Sequence, residues 1–408
     1  MRETNSAMTS HGDLNAPVLD FDPFSKEFMG DPHPSYELLR ESGAVCWLPK
    51  YRVWAMGRYA DVASAFEDWK TYSSAHGTGL SHFGKEKPWR APSIIVEADP
   101  PLHTASRSAL VRVLSPVELR KRKPIFMQDA ETLINGLLDR GEFDAVTELA
   151  EIYASKMMGD SLGIPVEGRE EFIIKYGAMA TAALGPRNWI FEKVIKDLPS
   201  VSKWIAKSCE RSTLAPGGFG ALLYEASDRG ELSADDAGLL IRSTLTAGID
   251  NVILALGNMI LALARNPAQW EKLQNDPTLW RTAFDEAMRY DTPVQLFFRT
   301  TTRTVTVGNV EIGADEKVAL FMGSANRDPR KWERPTEFDI TRNTNGHLAL
   351  GGGIHACVGQ MMARLEAECV LMALLKRVKT IELAGEPEPL FNNLVKGYHS
   401  IPVRVTLQ

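Results

Sequence analysis

The sequence predicts a mainly α-helical fold with small β-sheets. Helical periodicity dominates from His103 to Arg211, and an apolar stretch of helical length follows from Ser243 to Ala264. The segment from Thr300 to Phe321 instead contains short runs typical of strands around a Gly308–Asn309 turn, which is the pattern of a β-hairpin. Helices therefore form the body of the predicted fold, and strands are a minor component.

The N-terminal part of the chain combines short helices with strands. Pro34 to Ser42 and Tyr59 to Glu67 have helical patterns, whereas Ala44 to Met56 alternates as strands do. Tyr72 to Pro101 is rich in Gly, Ser and Pro and predicts a long irregular segment. A segment of this kind inside a compact protein is usually functional, often as a lid or a binding loop.

The apolar stretch could be considered as a membrane span because of its length. Asp250, Asn251 and Asn258 interrupt it, however, and an ionisable residue in the middle of a span is costly. Ser233 and the acids that follow it form a good helix-capping start upstream. The sequence therefore favours one long helix, buried on all sides in a soluble protein.

Composition favours a single globular unit without nucleic acid or membrane partners. The chain has 408 residues, of which 44% are hydrophobic and 24% charged, and no linker-like tract divides it. We predict one catalytic domain over residues 18–408, preceded by a disordered arm over residues 1–17 that has no apolar stretch for a signal or an anchor. A net charge of −6 argues against binding to phosphate backbones.

The cysteines indicate a reducing compartment. Cys46, Cys209, Cys357 and Cys369 are scattered without the CxxC spacing of a zinc site. Such sparse usage is typical of reduced thiols rather than of a disulfide framework. We therefore expect a cytoplasmic protein.

One cysteine stands in a distinctive loop, Leu350-Gly-Gly-Gly-Ile-His-Ala-Cys-Val-Gly359, directly before a predicted helix. Glycines allow the backbone to approach a flat cofactor closely, and the start of a helix favours a thiolate over a thiol. An anionic iron ligand has these requirements. By itself, the loop is also compatible with the alternative of a buried structural cysteine in a tight turn.

Three other segments make the loop more specific. They are the Glu286/Arg289 pair on one helical face, the Glu333-Arg-Pro-Thr-Glu-Phe338 segment, and Ala247-Gly-Ile-Asp-Asn251 in the long helix. In this order, with the Cys357 loop last, they resemble the cytochrome P-450 family of heme-thiolate monooxygenases. The resemblance implies that family's fold, in which heme b lies between the long central helix and the helix after the cysteine loop.

The resemblance also implies roles for individual residues. Cys357 would be the axial iron ligand, and four basic residues would hold the heme propionates: His103, Arg107, Arg299 and His355. Asp250 would deliver protons, with Asn251 assisting, where most family members have Thr. Leu350 is a second departure, because the family usually begins the cysteine loop with Phe.

The implied reaction uses O2 and single electrons from an iron-sulfur ferredoxin, which a flavin-dependent NAD(P)H reductase supplies. A heme-binding electron carrier or sensor is the alternative from another class, but it would not explain the Asp250 groove. A peroxide-driven enzyme or a dehydratase would lack the acid at that position. The sequence thus favours a monooxygenase.

Several segments resemble one bacterial branch of the family, the para-methoxybenzoate O-demethylases. They include Lys85-Glu-Lys-Pro-Trp-Arg-Ala-Pro-Ser93 and Val294-Gln-Leu-Phe-Phe-Arg-Thr-Thr-Thr-Arg303. The resemblance implies that the substrate carboxylate meets one Arg–Ser pair of the irregular loop and another of the long helix, and that other residues line a slot for the ring. In this chain the corresponding residues are Arg90, Ser93, Arg242, Ser243, Ala247, Val294, Phe297, Thr181 and Leu184.

The implied activity is oxidation of a small para-substituted aromatic acid, with O-demethylation of a 4-methoxybenzoate-type compound as its specific form. Thr181 and Leu184 stand where that branch has phenylalanines, which leaves the substrate open. If both arginines are instead salt-bridged and both serines only pack, the pocket would suit a neutral alkylphenol or methoxyphenol.

Overall fold

The computed structural model describes residues 15–88 and 90–408, so residues 1–14 of the predicted arm lie outside the described residues. The α-helices, in chain order, are α1 Lys26–Gly30, α2 His33–Ser42, α3 Tyr59–Glu67, α4 Leu102–Val113, α5 Pro116–Leu138, α6 Glu151–Leu162, α7 Arg169–Ala182, α8 Trp189–Val194, α9 Leu198–Ser208, α10 Phe219–Asp228, α11 Ala234–Ala247, α12 Asp250–Arg265, α13 Pro267–Asn275, α14 Trp280–Tyr290, α15 Met322–Ala325 and α16 Gln360–Leu375. The strands are β1 Cys46–Leu48, β2 Val53–Met56, β3 Tyr72–Ser73, β4 Glu142–Asp144, β5 Leu296–Thr301, β6 Val305–Val307, β7 Val310–Ile312, β8 Lys317–Phe321, β9 Val378–Leu383, β10 Glu388–Pro389, β11 Tyr398–Ser400 and β12 Pro402–Leu407. A π-helical turn, Ala145–Ala150, leads into α6.

The strands form small sheets beside a helical body, as the sequence predicts. The largest sheet has the order β1-β2-β8-β5-β3, in which β2 and β8 are parallel and the other neighbours antiparallel. A second sheet has the order β4-β12-β9. The predicted hairpin is β6-β7, and its turn places Gly308 at φ 60°, a backbone region that glycine occupies without strain. Strand β5 carries both Phe297 and Arg299 toward the site described below.

The predicted long helix is interrupted, which corrects the expectation of one continuous helix. Helix α11 ends at Ala247 and α12 begins at Asp250, with Ile249 at φ −106° and ψ −74° between them. A Cβ atom on Gly248 would lie 2.0 Å from Met158 Cε and 2.9 Å from Thr244 O, so the close packing there favours glycine. The break places Asp250 in the first turn of a new helix.

Helix α12 is nevertheless a core helix, as its composition predicts. Its residues from Val252 to Leu263 are buried in the largest hydrophobic cluster and the one beside it. The stretch Ala234–Arg265 is long and apolar enough to cross a membrane, but 72% of its most apolar window is buried inside the fold. Burial of this kind is typical of the central helix of a soluble protein.

A buried ion cluster ties α14 to the segment before the cysteine loop. Arg289 binds both carboxylate oxygens of Glu286, at 2.6 and 2.8 Å, and neither side chain is accessible. Arg342 Nε donates to Glu286 Oε1 at 3.0 Å. The third partner of the pair is therefore Arg342, which lies beyond the Glu333–Phe338 segment. Arg334 of that segment pairs at the surface with Glu337 instead.

We expect Glu286→Gln to destabilise the protein by about 3–5 kcal/mol, because it leaves two buried guanidinium groups without a countercharge. Urea denaturation followed by circular dichroism measures the loss. Glu337→Gln makes the same chemical change in the exposed pair and should cost less than about 1 kcal/mol. Equal losses in the two variants would contradict a central role for the Glu286 cluster.

Candidate active site

The glycine-rich loop brings Cys357 to the start of α16 in a constrained geometry. Cys357 N donates to Leu350 O at 2.8 Å, which closes the loop. Gly353 has φ 57°, and a Cβ atom there would lie 2.1 Å from Phe66 O. Burial raises the pKa of the Cys357 thiol, whereas hydrogen bonds from the backbone N–H groups of Gly359 and Gln360 lower it. The Cys357 sulfur therefore has backbone N–H donors that can stabilise a thiolate.

Four predicted propionate ligands converge beside this loop. The rings of His103 and His355 lie 4.4 Å apart between centroids, and each has a buried Nε2 atom with no hydrogen-bond partner in the described part of the chain. Arg299 is buried on β5, donates to Phe298 O at 2.9 Å and lies over the ring of Phe66. These donors come from α4, β5 and the cysteine loop, and they point to a shared partner.

One acid, Asp99, acts electrostatically on Arg299 and His103, so the basic residues of this group outnumber the acids. Burial lowers the pKa of Arg299 to about 10 and that of Arg107 below its usual range. Burial, together with the charges of Arg299, His103 and Arg107, lowers the pKa of His355 to about 3. Buried cations are normally paired. A ligand with two carboxylates fits this group, so the residues present fit the two propionates of heme with Cys357 as the iron ligand.

The break between α11 and α12 shapes the other side of the site. Asn251 Nδ2 donates to Ala247 O at 3.1 Å, so the side chain replaces a backbone hydrogen bond that the break removes. Asn251 Oδ1 is buried and has no partner among the described residues. The amide therefore holds the break open and keeps one acceptor atom unused. Ala247 itself is exposed at the break.

Asp250, in the first turn of α12, lies against α7. Burial raises its pKa to about 7; a hydrogen bond with Thr181 opposes this rise, and the charge of Glu151 adds to it. The two oxygens, Thr181 Oγ1 and Asp250 Oδ2, are 3.2 Å apart. No ion pair connects Asp250 to a cation within residues 15–88 and 90–408. Asp250 can therefore exchange a proton near neutral pH.

The structure brings together the two serines expected to bind a substrate carboxylate. Ser93 Oγ and Ser243 Oγ are 3.0 Å apart, which joins the irregular loop to α11. Arg90 does not offer its charge freely, because it forms a bidentate ion pair with the buried carboxylate of Glu97 at 2.8 and 3.1 Å. The positive charge that Arg90 is expected to supply to the substrate is therefore offset by Glu97. Ser93 N also donates to Glu97, at 2.7 Å.

The other substrate residues divide into two groups. Leu184 and Phe297 pack against the hydrophobic cluster that contains Val294, which suits a slot for a ring. Thr181 is instead hydrogen-bonded to Asp250 and to Asn392, so it belongs to the acid's surroundings. Arg242 Nε lies 3.4 Å from Gly238 O of its own helix, the limit of a hydrogen bond.

Sequence reasoning missed several residues of this site. They are Phe66, Glu97, Gly177, Arg342 and Asn392. Except for Glu97, which pairs with Arg90 in the same irregular loop, each acts through a contact between segments distant along the chain. Glu97 had a detectable signal, because Arg90 lies seven residues before it in that loop.

We expect Arg299→Gln to lose heme faster than the wild type, because a buried cation that faces a carboxylate contributes on the order of 1.5–3 kcal/mol, or about a tenfold change in affinity or more. Transfer of heme to excess apomyoglobin measures the rate. Arg303→Gln, at an exposed residue just after the same strand, is the matched control. Equal rates in the two variants would exclude Arg299 as a propionate ligand.

Comparison with known proteins agrees with this geometry. Residues 210–403 match the family model described as cytochrome P450. Over 399 residues the chain is 45% identical to the cytochrome P450 CYP199A2 of Rhodopseudomonas palustris, with 98% of this chain and 96% of the relative covered. It is 30% identical over 400 residues to the vitamin D(3) 25-hydroxylase of Pseudonocardia autotrophica, with 94% and 96% covered.

Solved structures agree as well. Cytochrome P450 CYP109Q5 from Chondromyces apiculatus superposes with a TM-score of 0.81 at 28% identity, covering 95% of this chain and 99% of the other. The fold class predicted from the sequence is thereby confirmed, and so are heme b as the cofactor and monooxygenase as the enzyme class. The chain belongs to the cytochrome P450 family.

Proposed function

We propose that this monooxygenase oxidises a small para-substituted aromatic acid, by O-demethylation when the para group is methoxy. The observation that carries the proposal is the meeting of Ser93 and Ser243, whose hydroxyl oxygens are 3.0 Å apart. The 45% identity with CYP199A2 supports placement in the para-methoxybenzoate O-demethylase branch. O2, an iron-sulfur ferredoxin with its flavin-dependent NAD(P)H reductase, and a cytoplasmic location complete the proposal.

The serine pair has the donors that a carboxylate needs. Ser93 Oγ accepts a hydrogen bond from Val96 N at 3.2 Å, so its remaining capacity is directed toward Ser243. Two adjacent hydroxyls can turn both of their protons toward the two oxygens of one carboxylate. A carboxylate that enters an apolar slot loses its water, and such donors offset part of that cost.

The ring would lie against the apolar residues Leu184, Val294 and Phe297. A cleft at the irregular loop is lined by Gly79, Arg90 and Glu97 and shares Leu184 with this region. The Arg90–Glu97 pair holds the loop in place and adds no net charge. Positive charge for the carboxylate therefore comes from Arg242, next to Ser243 in the chain.

A neutral alkylphenol or methoxyphenol is the second candidate. The same Arg90–Glu97 ion pair favours it, because one of the two expected cations is neutralised by a buried acid. A phenol would need a single donor and acceptor from the serine pair, which the two hydroxyls also provide. The two candidates differ in charge and are therefore separable by binding measurements.

The bound heme supplies the redox chemistry that activates O2. This chain's own residues position the substrate and manage protons. Asn251 offers a buried acceptor atom at the break in the central helix. Asp250 offers a carboxyl group whose pKa, raised by burial to about 7, suits proton transfer at neutral pH.

We expect 4-methoxybenzoate to bind at least about tenfold more tightly than its methyl ester, because the ester cannot accept charged hydrogen bonds. Spin-state titrations give the dissociation constants. Ser243→Ala should weaken benzoate binding by a similar factor and leave ester binding unchanged. Tighter binding of 4-alkyl-2-methoxyphenols than of the benzoate, unaffected by Ser243→Ala, would instead establish the phenol candidate.

We expect Asp250→Asn to slow turnover far more than Asn251→Ala does, because an amide is a much weaker proton carrier than a carboxyl group. Asn251→Ala should mainly divert electrons into hydrogen peroxide, since it removes the amide that holds the break open. Product and peroxide per NAD(P)H consumed are the measurements. Similar rates and unchanged coupling in both variants would refute these separate roles.

A further inference from the structure

Among the described residues no cation forms an ion pair with Asp250, which lies against α7 and within hydrogen-bonding distance of the Thr181 hydroxyl. A Cβ atom on Gly177 would lie 2.1 Å from Asp250 Oδ1, so α7 approaches this carboxyl through a glycine. The ionisable group that acts on Asp250 is Glu151 at the start of α6, which is itself an acid. His399 and Asp144 in turn act on Glu151. These surroundings disfavour a negative charge on Asp250.

The Thr181 hydroxyl has more neighbours than it has protons. Thr181 Oγ1 lies 3.1 Å from Gly177 O, 3.2 Å from Ala178 O and 3.2 Å from Asp250 Oδ2. Asn392 Nδ2 donates to it at 2.9 Å. A hydroxyl donates one hydrogen bond and accepts two. Its single proton therefore goes either to the α7 carbonyls or to Asp250.

The orientation of the Asn392 amide is determined by a second contact. Its Oδ1 accepts from Leu394 N at 3.0 Å, so the Nδ2 end must face Thr181. One acceptor site of the hydroxyl is thus always filled. When the hydroxyl donates to Gly177 O, its remaining lone pair faces Asp250 Oδ2. Only a protonated carboxyl can then complete the network.

We propose that Thr181 is a positioning residue for Asp250, whose hydroxyl accepts from the neutral acid and rotates to donate to the carboxylate once the proton has left. In the first state Asp250 Oδ2–H donates to Thr181, and Thr181 donates to the α7 carbonyls. In the second state Asp250 has passed its proton to an acceptor in the groove, and the Thr181 O–H turns to Asp250. A proton from solvent restores the first state, and no other bond changes.

This inference rests on the proposed role of Asp250 in proton delivery, but not on the substrate class. It assigns to Thr181 a function different from lining the ring slot. An ion-paired acid would stay ionised, whereas this network has a complete set of hydrogen bonds in both protonation states. Asp250 is thereby able to give and regain a proton without a cation beside it.

Difference infrared spectroscopy of the substrate-free holoenzyme tests the proposal directly. The carboxylic-acid C=O band of Asp250 is assigned by its disappearance in Asp250→Asn and is then titrated with pH. We expect a midpoint near pH 7 in the wild type. Thr181→Val should raise the midpoint by about one pH unit or more, because the carboxylate loses its donor. Thr181→Ser, which keeps the hydroxyl, should leave it within a few tenths of a unit.

Turnover provides a second readout. The neutral acid is the proton donor, so the rate should fall as pH rises through the Asp250 midpoint, and Thr181→Val should move that fall upward by the same amount as the infrared midpoint. Thr132→Val removes a similar hydroxyl-to-carbonyl bond on α5 and should change neither. An Asp250 that is ionised across the whole range, or equal midpoints in wild type and Thr181→Val, would overturn the proposal. Neither result depends on which aromatic compound is the substrate.

Discussion

The interruption between α11 and α12 is the constraint on which the rest of the site depends. Gly248 lies there in close contact with Met158 and with Thr244 O, which favours a residue without a side chain. Once the helix is broken, Ala247 loses a backbone partner and Asn251 supplies one from its side chain. Asp250, at the new helix start, lies against α7, while Ser243, on the preceding helix, reaches the irregular loop. One local distortion thus places the proposed proton donor and the proposed substrate-binding serine on different sides of the break.

Two clusters of buried charged residues differ in how far the protein itself supplies the countercharge. At Glu286, two arginines share one buried carboxylate, and the hydrogen bonds between them are complete. At the propionate site, four basic residues meet with one acid, Asp99, that acts on Arg299 and His103, and two histidine nitrogens have no partner in the described residues. The first group stabilises the protein by itself. The second is costly until a dianionic ligand arrives, which makes heme part of the fold's stability.

Asp250 is a third case, in which the buried ionisable group is an acid. Its environment contains an acid, Glu151, and neutral donors, but no ion pair to a cation in the part of the chain that the structure describes. A carboxyl group placed in this way holds its proton more readily than an ion-paired one. The Arg90–Glu97 pair shows the opposite case, in which a loop arginine is neutralised and becomes structural. Asp250 and Arg90 therefore differ in whether a countercharge in the described part of the protein keeps the group ionised.

The sequence by itself determined the fold class and the heme cofactor, because its motifs, in their order, resemble one family. That resemblance also implied Cys357 as the iron ligand and the propionate group as a set. Only the tertiary structure showed that Arg342 completes the Glu286 cluster, that Glu97 pairs with Arg90, and that Thr181 lies within hydrogen-bonding distance of Asp250. Each of these contacts joins residues that are separated along the chain. The separation is 7 residues for Arg90 and Glu97, 56 for Glu286 and Arg342, and 69 for Thr181 and Asp250. Local patterns carry no record of such partners, since a charge or a hydroxyl looks the same in sequence whether it meets a substrate, a countercharge or a neighbouring helix.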